Sequence, residues 1–309
     1  MKVAWAGARA TAVAVAAMTV ASLASASPPD LVLKTETFLE GPDVIAPRGR
    51  NLVYTPTAPQ NHKLIVLFPG SALIGKYESF MSAAAAHGYH VLALDSPLTV
   101  KDKGDACAGN VECRGRMLRQ AVDGDMTEAA PFWSEDYPQA RYPQGKNAII
   151  HRLIALLDYV KHEHQGSGQF LICSRTACEP DWTKIVVAGH GKGGAIALWL
   201  LKRHHTAGAR AFLFSGPSGY VPLDPAWRDA LYVLDNASDP AYAPSGSVGA
   251  FMGQTPREIP SGIRHPECHG LPESRFLLDV SPGGADATLE DGAATDAARC
   301  AWDLFLALH

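Results

Sequence analysis

The stretch Val186-Val187-Ala188-Gly189-His190-Gly191-Lys192-Gly193-Gly194 runs directly into the apolar segment Ala195-Ile196-Ala197-Leu198-Trp199-Leu200-Leu201. This order predicts a buried strand, a sharp glycine-rich turn and a helix. The same order surrounds a nucleophile elbow, in which a G-x-S-x-G turn lifts a serine to the top of a parallel sheet. Gly191 occupies the place of that serine. The turn is therefore present, but it carries no side chain that could attack a substrate.

Short apolar runs alternate with helical patterns on both sides of this turn. The strand candidates are 52–54, 63–68, 90–94, 184–188, 209–214, 230–234 and 275–280. The helix candidates are 76–87, 147–162, 193–203 and 294–308. Such alternation predicts an α/β fold with a mostly parallel sheet flanked by helices.

The first 26 residues have the pattern of an export signal. Lys2 and Arg9 precede or flank an apolar run over 10–23, and Ala24-Ser25-Ala26 supplies the small residues of a cleavage site. We expect cleavage after Ala26 and a secreted or periplasmic, bacterial protein. The apolar run is shorter than the roughly 20 residues of a membrane span, so no span is expected in the mature chain.

Residues 27–309 are enough for one large domain and too few to favour two. The net charge of −4 and the absence of basic clusters exclude a nucleic-acid footprint. Residues 96–145 interrupt the alternation of strands and helices. We expect this segment to be a structureless insertion that serves as a lid or a structural cap.

All six cysteines follow the predicted signal, and an even number in an oxidising compartment favours disulfides. Their spacing suggests three local pairs: Cys107 with Cys113, Cys173 with Cys178, and Cys268 with Cys300. The alternative is a metal site formed by His265, Cys268 and His269. We expect the disulfides, with no metal and no cofactor.

The other parts of a serine hydrolase site can be sought at their own places in the chain. Oxyanion donors should be the backbone N–H of Lys192 and one from Ser71 or Ala72, in the turn after the strand at 63–68. The acid should follow the strand that ends near residue 234. Asp235 and Asp239 both qualify, and we favour Asp239 because Asp235 directly adjoins the strand. The loop over 281–287 contains no histidine.

Several segments together carry a family resemblance. They are Leu67-Phe68-Pro69-Gly70-Ser71-Ala72, Gly88-Tyr89-His90-Val91, Cys107 with Cys113, Gly189-His190-Gly191-Lys192-Gly193-Gly194, Leu213-Phe214-Ser215-Gly216-Pro217 and Pro282-Gly283-Gly284-Ala285-Asp286. They resemble a group of bacterial and plant α/β-hydrolase-like proteins that show L-x-L-P-G-T/S-G, G-Y-H-V, paired cysteines, G-H-S-Q-G-G, L-F-S-G-P and a late P-G-G-A-H.

The resemblance implies a single α/β-hydrolase-type domain that departs from the family at two positions. Gly191 stands for the nucleophilic serine and Asp286 for the catalytic histidine. We therefore expect a protein derived from a serine esterase-like hydrolase that is catalytically impaired and binds an unidentified small-molecule or acyl ligand. The alternative is an active hydrolase of carboxylic esters or related bonds that uses a non-standard nucleophile or histidine.

Overall fold

The computed structural model describes residues 28–41, 44, 50–56, 60–70, 73–95, 110–125, 145–163, 167–215, 224–239, 257–259, 263–265, 268, 276–280, 282 and 285–307. The strands are β1 Leu31–Leu33, β2 Asn51–Tyr54, β3 Leu64–Phe68, β4 His90–Ala93, β5 Leu171–Cys173, β6 Cys178–Pro180, β7 Ile185–His190, β8 Arg210–Phe214, β9 Leu231–Asn236, β10 Arg257–Glu258 and β11 Phe276–Asp279. The helices are α1 Thr35–Phe38, α2 Glu78–Ala86, α3 Val111–Asp123, α4 Ile149–Glu163, α5 Lys192–His204 and α6 Asp296–Ala307. Two of the 3₁₀ turns, Ile74–Tyr77 and Ala285–Thr288, contribute to the site.

Nine strands of the described chain form one sheet in the order β1-β2-β4-β3-β7-β8-β9-β11-β10. The pairs β1–β2 and β2–β4 are antiparallel, and every other pair is parallel. β5 and β6 form a separate antiparallel hairpin. This mostly parallel sheet, with a strand–Gly191–helix turn near its middle, has the α/β-hydrolase architecture and confirms the predicted fold class.

Helices cover both faces of the sheet, so the central strands are buried on both sides. In β3, Leu64, Val66 and Phe68 pack with α3, α4 and α5, whereas Ile65 and Leu67 pack with α2 and α6. This alternation follows from the two-residue period of a strand. It explains why β3, β7 and β8 appear in the sequence as continuous apolar runs rather than alternating ones.

The predicted strands and helices agree with the structure to within a few residues at their ends. Residues 111–123 differ from the expectation of a structureless insertion, because they form α3. The side chains of Met117, Leu118, Ala121 and Val122 enter the core from one face of this helix. The charged residues on its other face hid this pattern in the sequence. The rest of the predicted insertion, except for residues 110, 124, 125 and 145, lies outside the described residues.

Two of the three predicted disulfides are confirmed. Cys173 and Cys178 close the β5–β6 hairpin, and Cys268 and Cys300 join a late loop to α6. Cys113 is also disulfide-bonded, but its predicted partner Cys107 lies outside the described residues. The predicted signal, residues 1–26, lies outside them as well. Within the described part of the chain, no helix is both long and apolar enough to span a bilayer.

Candidate functional site

The turn between β7 and α5 has the backbone conformation of a nucleophile elbow. Gly191 has φ 50° and ψ −116° and is flanked directly by the end of β7 and the first residue of α5. Its N–H donates to the carbonyl of Phe214 (3.1 Å), which ties the turn to β8. Positive φ of this kind is strained for a residue with a side chain, and glycine adopts it freely.

Close backbone contacts hold this turn in place. A Cβ on Gly193 would lie 2.1 Å from the carbonyl oxygen of Phe68, and a Cβ on Gly189 would lie 2.3 Å from the carbonyl oxygen of Gly193. Both glycines are therefore required by the close approach of α5 to the ends of β3 and β7. At Gly191, by contrast, a Cβ would meet no heavy atom of the described residues within 4 Å. Packing against the described residues therefore does not require a glycine at position 191, whereas the positive φ favours one.

Of the residues predicted to supply oxyanion donors, only Lys192 belongs to the described part of the chain, and its role stays a prediction. Lys192 is the first residue of α5, where backbone N–H groups point away from the helix and favour negative charge. Ser71 and Ala72 lie outside the described residues. Gly70, just before them, runs against the end of β7, since its Cβ would lie 2.9 Å from the carbonyl oxygen of His190.

Asp286, which the family resemblance predicts to stand for the catalytic histidine, lies in the 3₁₀ turn after β11 and is exposed. Thr288 anchors this turn through two hydrogen bonds. Its hydroxyl is 3.1 Å from the hydroxyl of Ser215, and its carbonyl accepts from Trp302 Nε1 at 2.8 Å. The backbone N–H of Glu290 donates to the carbonyl of Asp286 at 2.9 Å. Asp286 is thus held at a defined place.

A buried polar cluster connects Asp286 to the elbow. His190, which precedes Gly191, is almost fully buried, and its Nδ1 lies 3.1 Å from the hydroxyl of Tyr77 and 3.7 Å from Glu290 Oε1. The backbone N–H of Gly70 donates to the Tyr77 hydroxyl at 3.1 Å. Potential ligand atoms of His190, Asp286 and Glu290 all lie within 4.8 Å of one another. The chain after β3, the elbow and the turn after β11 therefore meet in one hydrogen-bonded cluster.

Glu290 is the titratable centre of this cluster. Burial raises the pKa of its carboxyl group to about 7, and the charge of Asp286 and the hydrogen bond between the two carboxyl groups act in the same direction. The positive charge of Lys76 and a hydrogen bond from Tyr77 oppose the shift. Near neutral pH, the carboxyl group of Glu290 therefore carries a proton for part of the time.

The candidate acid follows β9 at the same edge of the sheet. Asp239 is buried in the turn after the strand, and its N–H donates to the carbonyl of Asn236 at 3.0 Å. Asp235 is still part of β9 and pairs in register with Leu278 of β11. Asp239 thus lies in the turn and Asp235 in the strand, and the role of Asp239 as an orienting acid stays a prediction.

Ser215 shows a backbone conformation that the sequence did not reveal. It follows β8 directly, is buried, and has φ 47°, one of two positive values among the described non-glycine residues. Its N–H donates to the carbonyl of Leu234 at 2.9 Å. Strain in a serine beside the elbow is typical of functional positions, because such conformations persist only where their surroundings enforce them.

The metal alternative with Cys268 does not agree with the structure. The sulfur of Cys268 is bonded to Cys300, and His265 Nε2 lies 3.2 Å from Asp303 Oδ2. The third proposed ligand, His269, lies outside the described residues. In the cluster at the elbow, the ring nitrogen and the carboxyl groups are hydrogen-bonded to protein groups, and we assign no metal centre there.

No protein-family model and no curated protein matches the chain. Solved structures with a similar arrangement include an alpha-beta serine hydrolase homologue from Coxiella burnetii, at 11% identity and a TM-score of 0.42, with 92% of this chain and 100% of that chain covered. Another is the esterase Est2 from Thermogutta terrifontis with propionate bound, at 12% identity and a TM-score of 0.44, with 91% of this chain and 92% of that chain covered. A third is the esterase domain of a Rhodothermus marinus protein, at 13% identity and a TM-score of 0.40, with 90% of this chain and 96% of that chain covered.

Sequence reasoning missed Tyr77, Glu290 and Thr288. Glu290 follows Asp286 by four residues, and this spacing was the one available signal that two carboxyl groups could meet. Tyr77 and Thr288 carry no motif. Their roles arise from contacts between segments that are far apart in the chain.

Proposed function

We propose that this chain is an exported protein, derived from a serine esterase-like hydrolase, that binds a small acyl ligand at the elbow and forms no acyl-enzyme there. The single observation that carries the proposal is Gly191. It has the backbone conformation of the elbow and no heavy atom of the described residues within 4 Å of its Cβ position, but it supplies no nucleophilic atom. Asp286 in place of a histidine removes the base that would activate a serine.

The expected impairment is large. Loss of a triad nucleophile costs on the order of a millionfold in turnover, whereas the oxyanion donors and the binding contacts survive. Because the helix start at Lys192 is unaffected by the change, a carbonyl group could still be bound at this place. Ligand binding is therefore the activity that the substitutions leave intact.

Export is supported by the disulfides. Cys173–Cys178 and Cys268–Cys300 are bonds that form and persist in oxidising compartments such as the periplasm or the medium. Together with the predicted signal over 1–26, they favour a secreted or periplasmic location.

A fluorophosphonate probe, which labels activated serines covalently, tests the proposal. We expect no labelling of the wild-type protein and a gain of stoichiometric labelling in the double variant Gly191→Ser with Asp286→His. The matched control is Gly191→Ala with Asp286→His, which has a side chain of similar size but no hydroxyl. Labelling of the wild-type protein would contradict the proposal, and an inert double variant would mean that these positions do not form a site.

A second candidate is an active hydrolase with a displaced nucleophile. The strained, buried Ser215 favours it, because this residue lies beside the elbow at the same edge of the sheet. If Ser215 were the nucleophile, the wild-type protein would be labelled by the probe and the Ser215→Ala variant would not.

A further inference from the structure

The place of the catalytic histidine is taken by a pair of carboxyl groups rather than by a single acidic residue. Asp286 is exposed, and Glu290 lies buried behind it and is hydrogen-bonded to it. A buried carboxyl group that is hydrogen-bonded to an exposed one forms a unit that can both accept and return a proton. The hydrogen bonds of Thr288 to Ser215 and Trp302 hold this unit in place.

The pair faces charged and titratable groups on two neighbouring segments. The 3₁₀ turn before α2 contributes Lys76 and Tyr77, and the end of β7 contributes His190. His190 is bonded covalently to Gly191, so the pair is anchored next to the elbow. Among the described residues, no heavy atom lies within 4 Å of the position that a Cβ on Gly191 would occupy.

We propose that the Asp286–Glu290 carboxyl pair accepts the proton of a water molecule that attacks a carboxylic ester bound at the elbow, so that hydrolysis proceeds without an acyl-enzyme. This inference rests on the proposed function, because it requires the ester to bind where Gly191 offers no nucleophile. Asp286, as the exposed member, is the group that contacts water. Glu290 is a positioning residue that acts through Asp286.

The reaction balances with ester and water alone. The water oxygen bonds to the carbonyl carbon while one water proton passes to the pair, and the carbonyl electrons move to the oxygen that faces the N–H of Lys192. The bond between that carbon and the alcohol oxygen then breaks, and the pair returns its proton to the departing alkoxide. The products are the carboxylic acid and the alcohol, and the pair is restored.

The burial of Glu290 suits this role, because a base works best when its pKa lies near the working pH. The pair loses its last proton around pH 7, so turnover should rise through that range. An ordinary aspartate carboxylate has a pKa of about 4 and is a weaker base at neutral pH than a carboxylate with a raised pKa. General-base catalysis contributes roughly a hundred- to ten-thousandfold, so slow turnover of activated esters is expected.

The test measures steady-state hydrolysis of p-nitrophenyl acetate and p-nitrophenyl butyrate by the mature protein between about pH 5 and about pH 9. We expect the turnover of the wild-type protein to rise through about pH 7. Asp286→Asn should lower the turnover at neutral pH by at least about tenfold. Glu290→Gln should lower it by a similar factor and should move the rise in turnover towards acid pH. Glu258→Gln, a change of the same kind at an exposed position on β10, should behave as wild type. Far-ultraviolet circular dichroism and the Tm verify that the variants are folded. Asp286→Asn is the variant least prone to misfolding, because Asp286 is exposed.

Two results overturn the inference: no wild-type turnover of either ester above the buffer rate, or turnover that Asp286→Asn leaves unchanged. A different result overturns the proposed function. A burst of p-nitrophenol equal to the protein concentration, together with fluorophosphonate labelling, would show an acyl-enzyme. The two failures are therefore distinguishable in the same set of experiments.

Discussion

Gly191 has a backbone conformation that is strained for residues with a Cβ and that glycine adopts freely. A residue with a Cβ would pay on the order of 1–2 kcal/mol for its φ of 50°, whereas glycine does not. The elbow therefore persists because the glycines on either side and the hydrogen bond to Phe214 enforce it, and not because a nucleophile requires it. Gly191 supplies no nucleophilic side chain, although the geometry of the turn is in place.

Glu290 makes the stability of the protein depend on pH. Its pKa is about 7 in the folded protein, against 4.5 for the ordinary group. The folded state therefore binds more protons than the unfolded state between these values. The stabilisation from this group is full below about pH 4.5 and is lost as pH rises through about 7.

We expect Glu290→Gln to lose this part of the pH dependence, because glutamine does not ionise. Between about pH 5 and about pH 8, the free energy of unfolding of the wild type should fall by roughly 1–3 kcal/mol more than that of the variant. Urea denaturation at the two pH values measures the difference, with Glu258→Gln as the exposed control. Parallel pH curves for wild type and Glu290→Gln would mean that the carboxyl pair does not hold a proton in the folded state.

At the scale of elements, the start of α5 determines where the site lies. The helix begins against the carbonyl groups at the end of β3, which is possible only because Gly193 has no side chain. This contact places the first N–H groups of α5 at the edge of the sheet where β7, β8, β9 and β11 also end. Ligands in open α/β sheets bind at this edge.

Gly193→Ala should strongly destabilise the protein, because its Cβ would lie 2.1 Å from a backbone oxygen that cannot move independently of β3. We expect a loss of at least about 2–3 kcal/mol in the free energy of unfolding. Gly115→Ala, in α3, is the matched control, since its Cβ would meet no described atom within 4 Å. Gly115→Ala should raise the free energy of unfolding by roughly 0.5–1 kcal/mol. Thermal denaturation compares the two variants, and equal changes in Tm would contradict the close approach of α5 to β3.

At the scale of the whole molecule, one domain with a sheet covered on both faces supports the site, and the disulfides secure its late segments. Cys268–Cys300 joins residues 32 apart in the chain, whereas Cys173–Cys178 joins residues only 5 apart. A longer closed loop removes more conformational freedom from the unfolded chain. α6, which carries Cys300 and Trp302, also anchors the turn of Asp286.

We therefore expect removal of the Cys268–Cys300 bond by Cys268→Ala with Cys300→Ala to cost more stability than removal of Cys173–Cys178 by the equivalent double change. The chain-entropy relation gives roughly 4 kcal/mol for the first and roughly 2 kcal/mol for the second. Guanidinium denaturation of the two double variants measures both. An equal or larger loss for the short hairpin bond would show that loop length does not set the contribution of these disulfides.

The sequence by itself determined the fold class, most strands and helices, the two described disulfide pairs and the elbow at Gly191. These features can be predicted because apolar periodicity, turn glycines and cysteine spacing involve residues that are close together in the sequence. The helix at 111–123 was missed, because its buried residues occupy one face and charged residues cover the other.

Only the tertiary structure brought Tyr77, His190, Asp286 and Glu290 into one cluster and gave Glu290 its raised pKa. Three segments far apart in the chain meet there, and neither their contacts nor the burial of a carboxyl group follows from local sequence. The strain at Ser215 was hidden for the same reason. Chain-local patterns specify the elements, whereas the chemistry of the site depends on desolvation and on distances between side chains, which exist only once the sheet has formed.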